Sequence, residues 1–284
     1  MPENPTRPLL RYHGGKWVLA PWIISHFPPH KTYVEPFGGA ASVLLRKPRS
    51  HAEIYNDKDG AIVNLFCVLR DPEQTEQLIH AMRFTPYSAE EFGKAQEGKT
   101  AGWEGMPAVD RARALLICAG MGYGNGGGTG IWKTGFRRWG RGSGSHPSRD
   151  WRGVPTILET VADRLQGVVI ECRDALEVIH THDYEDTLFY VDPPYVQETR
   201  GRWANGGYRY ELSDDDHREL ASHLHVCNGF VVLSGYNCEL YRDLYGDWKR
   251  IGRQHYADGA HLRTESIWLN PRAAEFMPQG RLAL

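Results

Sequence analysis

Six short apolar runs, each closing on an acidic or turn-forming residue, alternate along the chain with segments of helical periodicity, and this alternation limits the fold more than any other feature. The runs are TYVEPF (32–37), AEIYND (52–57), GVVIECRD (167–174), TLFYVDPP (187–194), GFVVLSG (229–235) and ESIWLN (265–270). Between most of them lie helical patterns: DGAIVNLFCVLRD (59–71), VDRARALLICAGM (109–121) and SDDDHRELASHLHV (213–226). The last opens on Ser213, a good N-cap, with acids in the first turn where the helix dipole favours them. Strands alternating with helices predict an α/β fold on a mostly parallel, doubly wound sheet. Ligands of such sheets bind beyond the carboxyl ends of the strands, near the point where strand order reverses. Glu35, Asp57, Asp174 and Asp192 all fall at predicted strand ends, so four acids are expected on one rim.

The alternation breaks between about residues 72 and 160. This segment begins helical and then runs through AGMGYGNGGGTGIWKTGFRRWGRGSG (119–144), too rich in glycine for an ordinary core element. The stretch carries four basic residues and no acid, interleaved with Trp132, Phe136 and Trp139. Glycine lets backbone approach a ligand, arginine reaches phosphates or guanine edges, and aromatic rings stack on bases or wedge between them. Trp132, Lys133, Arg137, Arg138, Trp139 and Arg141 are the candidate nucleic-acid contacts. A flexible linker is the alternative, and the interleaved Trp and Arg weigh against it.

Charge distribution agrees with that reading. The formal net charge is only −2, yet residues 1–50 hold seven Lys/Arg against two acids, residues 131–153 six against one, and residues 171–199 one against eight. Segregated basic and acidic surfaces suit a chain whose basic face meets a polyanion.

Two motifs carry the chemistry. In LFYVDPPYVQ (188–197) a buried strand stops at Asp192, and Pro193-Pro194 makes a stiff extended turn that leaves backbone carbonyls without ladder partners. A carboxylate, free carbonyls and the ring of Tyr195 form a set of acceptors with a stacking platform, suited to a flat ligand bearing an amine. In EPFGGAASVLL (35–45), Gly38 and Gly39 with the small Ala40 and Ala41 are expected to open a helix whose N-terminus faces a ligand. Asp57, twenty residues beyond Phe37 at the end of the second strand, is placed to accept hydrogen bonds from ribose hydroxyls, and an N-cap for the helix at 59–71 is its alternative role. Turn and acid together point to a nucleoside-containing cofactor.

Several classes are disfavoured. No apolar run approaches bilayer length and the N-terminus lacks a signal-peptide segment, so a cytoplasmic protein with no membrane partner is expected. Five scattered cysteines without a Cys-x-x-Cys pair read as free thiols, and no metal site is expected.

With RYHGGK (11–16), VEPFGGAAS (34–42), YND (55–57) and DPPY (192–195) in that order, the chain resembles the Dam-type (D12 class) DNA adenine methyltransferases over about residues 9–71 and 167–270. The resemblance implies a Rossmann-like class I fold dependent on S-adenosylmethionine, without a metal, acting on double-stranded DNA. It assigns 1–71 to the first part of the catalytic domain, 72–160 to a target-recognition insert and 161–284 to the second part. Around S-adenosylmethionine it sets Tyr12, Gly14, Lys16, Glu35, Pro36, Phe37, Gly38, Gly39, Ala40, Ser42, Asp57, Asp174 and Asp192. Asp192, Pro193, Pro194 and Tyr195 correspond to the catalytic tetrapeptide, which would methylate the N6 amine of a flipped-out adenine. RTESIWLNP (263–271) is similar to the family's closing strand. The family's usual Phe-x-Gly-x-Gly stands here as Phe-Gly-Gly-Ala-Ala, and 119–144 does not match the β-hairpin of members that recognise GATC. An amino-cytosine or RNA adenine methyltransferase, or a catalytically inactive DNA-binding module, stays open as an alternative, as does a partner restriction endonuclease.

Overall fold

The computed structural model describes residues 4–103, 105–124, 133–138, 146–199, 208–257 and 261–276. Its centre is a seven-stranded sheet of β1 (Thr32–Glu35), β2 (Ala52–Asn56), β3 (Val168–Glu171), β4 (Thr187–Val191), β5 (Phe230–Gly235), β6 (Lys249–Ala257) and β7 (His261–Leu269), in the order β3-β2-β1-β4-β5-β7-β6. The first five are parallel, and β7 runs antiparallel to both neighbours. The chain winds from β1 towards β3 on one side and from β4 towards β5 on the other, so strand order reverses between β1 and β4 and a crevice opens beyond their carboxyl ends.

The central strands read as unbroken apolar runs because both faces are covered. Within β4, Leu188 and Tyr190 enter one core while Phe189 and Val191 enter the other. The second core is closed by α8 (Ala175–Thr181), α9 (Asp214–His225) and α10 (Glu239–Leu244). The first is closed by α1 (Ala20–Ile24) and α2 (Gly60–Val68), then by α3 (Pro72–Phe84), α4 (Ala89–Thr100) and α5 (Ala108–Met121), with α6 (Pro147–Arg152) and α7 (Val154–Leu165) after them. The helices from 72 to 165 therefore share a core with the sheet. Short α11 (Pro271–Glu275) follows β7. No helix among the described residues is long and apolar enough to cross a membrane.

The expected helix after Gly39 does not form. Residues 39–46 make turns instead: Ala41 sits at φ +53°, outside helical space, and the Leu44 amide is drawn to the Glu35 carboxyl. The strand at 249–257 was not anticipated, and β7 begins four residues before the run at 265.

A buried ion network ties the last helix before β3 to this turn. Arg164 grips Glu53 with both terminal nitrogens (2.7 and 3.0 Å) and donates to the Leu44 carbonyl, and Lys47 reaches the same carboxylate at 2.6 Å. Burial would raise the Glu53 pKa, but Arg164 and Lys47 outweigh it and hold the carboxylate below its ordinary range. Removing one member of such a network strands a buried charge. Arg164→Met is expected to cost about 3–5 kcal/mol and lower the thermal midpoint by roughly 10 °C, and a fall under about 2 °C in a melting curve would contradict the network's role.

Candidate active site

The crevice beyond β1 and β4 holds a cleft of about 420 Å³, the size of an ordinary small-molecule site. Its floor is the glycine turn. The Gly38 amide donates to the Asn56 carbonyl (2.7 Å), the Gly39 amide to Asp57 (2.8 Å), and the Tyr55 hydroxyl to the Gly39 carbonyl (2.7 Å). Gly39 lies at φ +47°, a left-handed conformation that glycine adopts without strain. The turn is thus stitched to the end of β2. Fully buried Asn56 extends the stitching, donating to the carbonyls of Pro36 and Arg173 while its own oxygen accepts from the Arg173 amide.

Asp57 is not the helix cap. That place belongs to Asp59, whose side chain accepts from the Ala61 amide. Asp57 accepts one amide on each carboxyl oxygen, from Gly39 and from Asp59, so each oxygen keeps a lone pair for a further donor. Asp174 caps α8 through the Leu176 amide and pairs with Lys58 at 3.1 Å on the cleft's edge. Glu35, at the end of β1, accepts from the Tyr33 hydroxyl (2.6 Å) and the Leu44 amide (2.8 Å) on the same oxygen.

The other wall is the loop after β4. Lys16 reaches Asp192 at 2.9 Å, donates to the Gly14 carbonyl at 2.7 Å, and sits 4.6 Å above the ring centre of Tyr195. Burial alone would discharge Lys16, but Asp192 beside it and Glu265 more than reverse this and hold the ammonium charged. Burial raises the pKa of Asp192, and Lys16 pulls part of that rise back. The Tyr195 hydroxyl donates to Glu265 on β7, and its ring meets Tyr236 edge-on at 4.8 Å.

Of the residues singled out from the sequence, Tyr12, Gly14, Lys16, Glu35, Pro36, Phe37, Gly38, Gly39, Ala40, Ser42, Asp57, Asp174, Asp192 and Pro194 line this one cleft, with Pro193 and Tyr195 in the same loop. The insert candidates are not among its lining. Lys133 and Arg138 are exposed, whereas Arg137 is mostly buried, 3.7 Å from Asp150, with its main chain bonded to Met121 and Tyr87. Trp132, Trp139 and Arg141 lie outside the described residues. Asn56, Glu265 and the segment Tyr208–Leu212, which also lines the cleft, escaped the sequence reading. Only Asn56 left a signal, as the residue before Asp57 at the end of a strand.

Like Asp192, three further acids here carry pKa values above the ordinary range, each chiefly from burial: Glu35 at about 8, Glu265 at about 7 and Asp57 at about 6. A raised folded-state pKa stabilises the fold fully below the ordinary carboxyl value, and the contribution is lost as pH climbs through the raised one. For Glu35 that window runs from 4.5 to about 8. Glu35→Gln should therefore melt with a flatter pH dependence than wild type across it, and identical profiles would contradict the shift.

Pocket size, carboxylates with spare lone pairs and flanking rings fit a ligand with ribose hydroxyls and a cationic centre. The chain matches the family model of D12 class N6 adenine-specific DNA methyltransferase over residues 12–100 and 148–258, which contain Lys16, the glycine turn, Asp57 and the Asp192 loop. The glycine-rich 119–144 falls in the gap between the matched spans. No curated protein matches the chain significantly. With most of its length matched and a 3-2-1-4-5-7-6 sheet of the Rossmann-like class I kind, the chain belongs to the D12 class of N6 adenine-specific DNA methyltransferases.

Proposed function

We propose that the cleft binds S-adenosylmethionine and that the protein moves its methyl group to the N6 amine of an adenine flipped out of double-stranded DNA, at a defined sequence. The observation that carries this reading is the placement of half-buried Asp192 at the reversal point of the sheet, lining one cleft with the glycine turn and Asp57. Bound there, S-adenosylmethionine supplies an electrophilic methyl on a sulfonium. Asp57 would accept from the ribose hydroxyls, Asp174 would lie by the adenine moiety, and the Phe37-Gly38-Gly39 turn would leave room for the methionine side.

The adenine amine is a poor nucleophile because its lone pair is delocalised into the ring. Asp192 and the Pro193 carbonyl accept its two N–H bonds, so the nitrogen rehybridises and turns its lone pair towards the methyl. The step is then carried by positioning and electrostatics. Burial makes Asp192 a better resting place for the proton that the amine gives up. Tyr195 offers its ring as a wall for the base. Lys16 holds Oδ1 of Asp192, which leaves Oδ2 for the amine. Exposed Lys133 and Arg138 would meet the DNA backbone.

Single-molecule long-read sequencing of plasmid from cells expressing the protein, beside an empty-vector control, tests the reading. Adenines modified in one recurring sequence context are the expected result. Plasmid left unmodified by well-expressed protein, or modified on cytosine, would overturn it.

A further inference from the structure

In the proposed mechanism Asp192 takes up the amine's proton, and the Lys16 ammonium, 4 % exposed, then faces a neutral acid in place of its counter-ion. A buried ammonium without a counter-charge is costly, so Lys16 then needs a second one. One carboxyl is placed to offer it. Glu265 lies one residue before Ser266, which pairs with Gly235 at the end of β5, so antiparallel β7 carries Glu265 out past the parallel strand to the carboxyl rim where the Asp192 loop sits. It is 2 % exposed and accepts from the Tyr195 hydroxyl and from Ser234 (3.3 Å). Tyr195 links the two sites: Lys16 stands over the ring, and the hydroxyl at the ring's end is on Glu265. A lysine side chain, a point charge on a flexible stem, can move along that ring face.

We propose that Glu265 is a positioning residue of the reaction, the second counter-ion that steadies the Lys16 ammonium when Asp192 takes up the proton of the target amine. This rests on the reading of Asp192 as the amine's acceptor. Ser234 and the Tyr195 hydroxyl fix the carboxyl, and Asp192 and Lys16 complete the charge set. Sequence position does not reveal the pairing, because 70 residues separate Tyr195 from Glu265.

A double-mutant cycle of Lys16→Met and Glu265→Gln tests it, read both in thermal unfolding and in the DNA concentration for half-maximal methylation. Glutamine keeps an acceptor for Tyr195 while removing the charge. In unfolding, the two substitutions should be non-additive by a few degrees. In turnover, Glu265→Gln alone should raise half-saturation by DNA about tenfold with cofactor affinity unchanged, and should do nothing further in the Lys16→Met background. Additive unfolding shifts, or a Glu265→Gln effect of equal size in both backgrounds, would overturn the assignment. The unfolding cycle needs no turnover, so a protein that transfers no methyl group would count against the methyltransferase reading while the cycle still decides whether Lys16 and Glu265 are coupled.

Discussion

Asp192→Ala is expected to abolish methyl transfer while cofactor affinity stays within a few-fold of wild type. The acceptor that frees the amine's lone pair disappears, and loss of one such preorganised group costs about 10²–10³-fold in turnover. The proposed cofactor anchors lie elsewhere, on Asp57 and the glycine turn, so a titration of S-adenosylmethionine by calorimetry should change little. The substitution also strands Lys16, whose ammonium loses the partner 2.9 Å away and keeps Glu265 as a neighbouring acid, so some stability goes with it. Asp192→Asn separates the two effects: it preserves volume and one acceptor oxygen but not the charge, and should fold better than alanine while remaining slow. Retained turnover in either variant at saturating cofactor and DNA would remove Asp192 from the chemistry.

Strands buried on both faces were legible because burial itself writes a continuous apolar run: β1, β2, β4 and β5 all appear where the pattern puts them. The edge strand β6 was not. KRIGRQHYA has little apolar content, and it is a strand because β7 pairs with it residue for residue, from Lys249 opposite Leu269 to Ala257 opposite His261, a non-local cause. The opposite error occurs after Gly39, where small residues read as a helix start but a buried carboxyl on β1 competes for the Leu44 amide and turns result. Asp57 was ambiguous between cap and ligand because Asp59 stands two residues on, and only the geometry of the Ala61 amide separates them.

The cleft itself was legible for a related reason. Its lining comes from strand ends and the turns just after them, and in a doubly wound sheet topology fixes those positions at one edge. Glu265 reaches the same edge from an antiparallel strand, so no rule about parallel strand ends finds it. The insert is the reverse case. Its composition suggested contacts along the whole glycine-rich stretch, yet residues 133–138 are tied down: Tyr123 and Arg137 bond across an antiparallel bridge at Gly122 and Phe136, and Gln96 holds the Thr134 carbonyl at 2.9 Å. Of the two arginines there, Arg138 is exposed and Arg137 lies 3.7 Å from Asp150.

Gly38→Ala should be the most damaging small substitution in the proposed cofactor site. A methyl group at Gly38 would lie 2.2 Å from the Tyr55 ring and 2.9 Å from the Asn56 carbonyl, far inside van der Waals contact. Neither neighbour can yield. Tyr55 is fully buried, packs on Phe66 at 4.7 Å, and its hydroxyl holds the Gly39 carbonyl; the Asn56 carbonyl is the acceptor of the Gly38 amide itself. The turn must therefore move as a unit, which takes the Gly39 amide off Asp57 and spoils the carboxylate proposed to receive the ribose. Overpacking of this kind costs about 1–3 kcal/mol in stability, and a shift of the turn by the same strain should weaken cofactor binding at least tenfold, or about 1.4 kcal/mol. Gly93→Ala, within α4 and with nothing inside 4 Å of the added methyl, is the matched control: the same chemical change there should stabilise the helix by about 0.5–1 kcal/mol and leave cofactor affinity untouched. Opposite signs for the two glycines in melting curves, with the affinity loss confined to Gly38, are the expected pattern. Equal cofactor affinity in Gly38→Ala and wild type would mean that this turn does not shape the cofactor site.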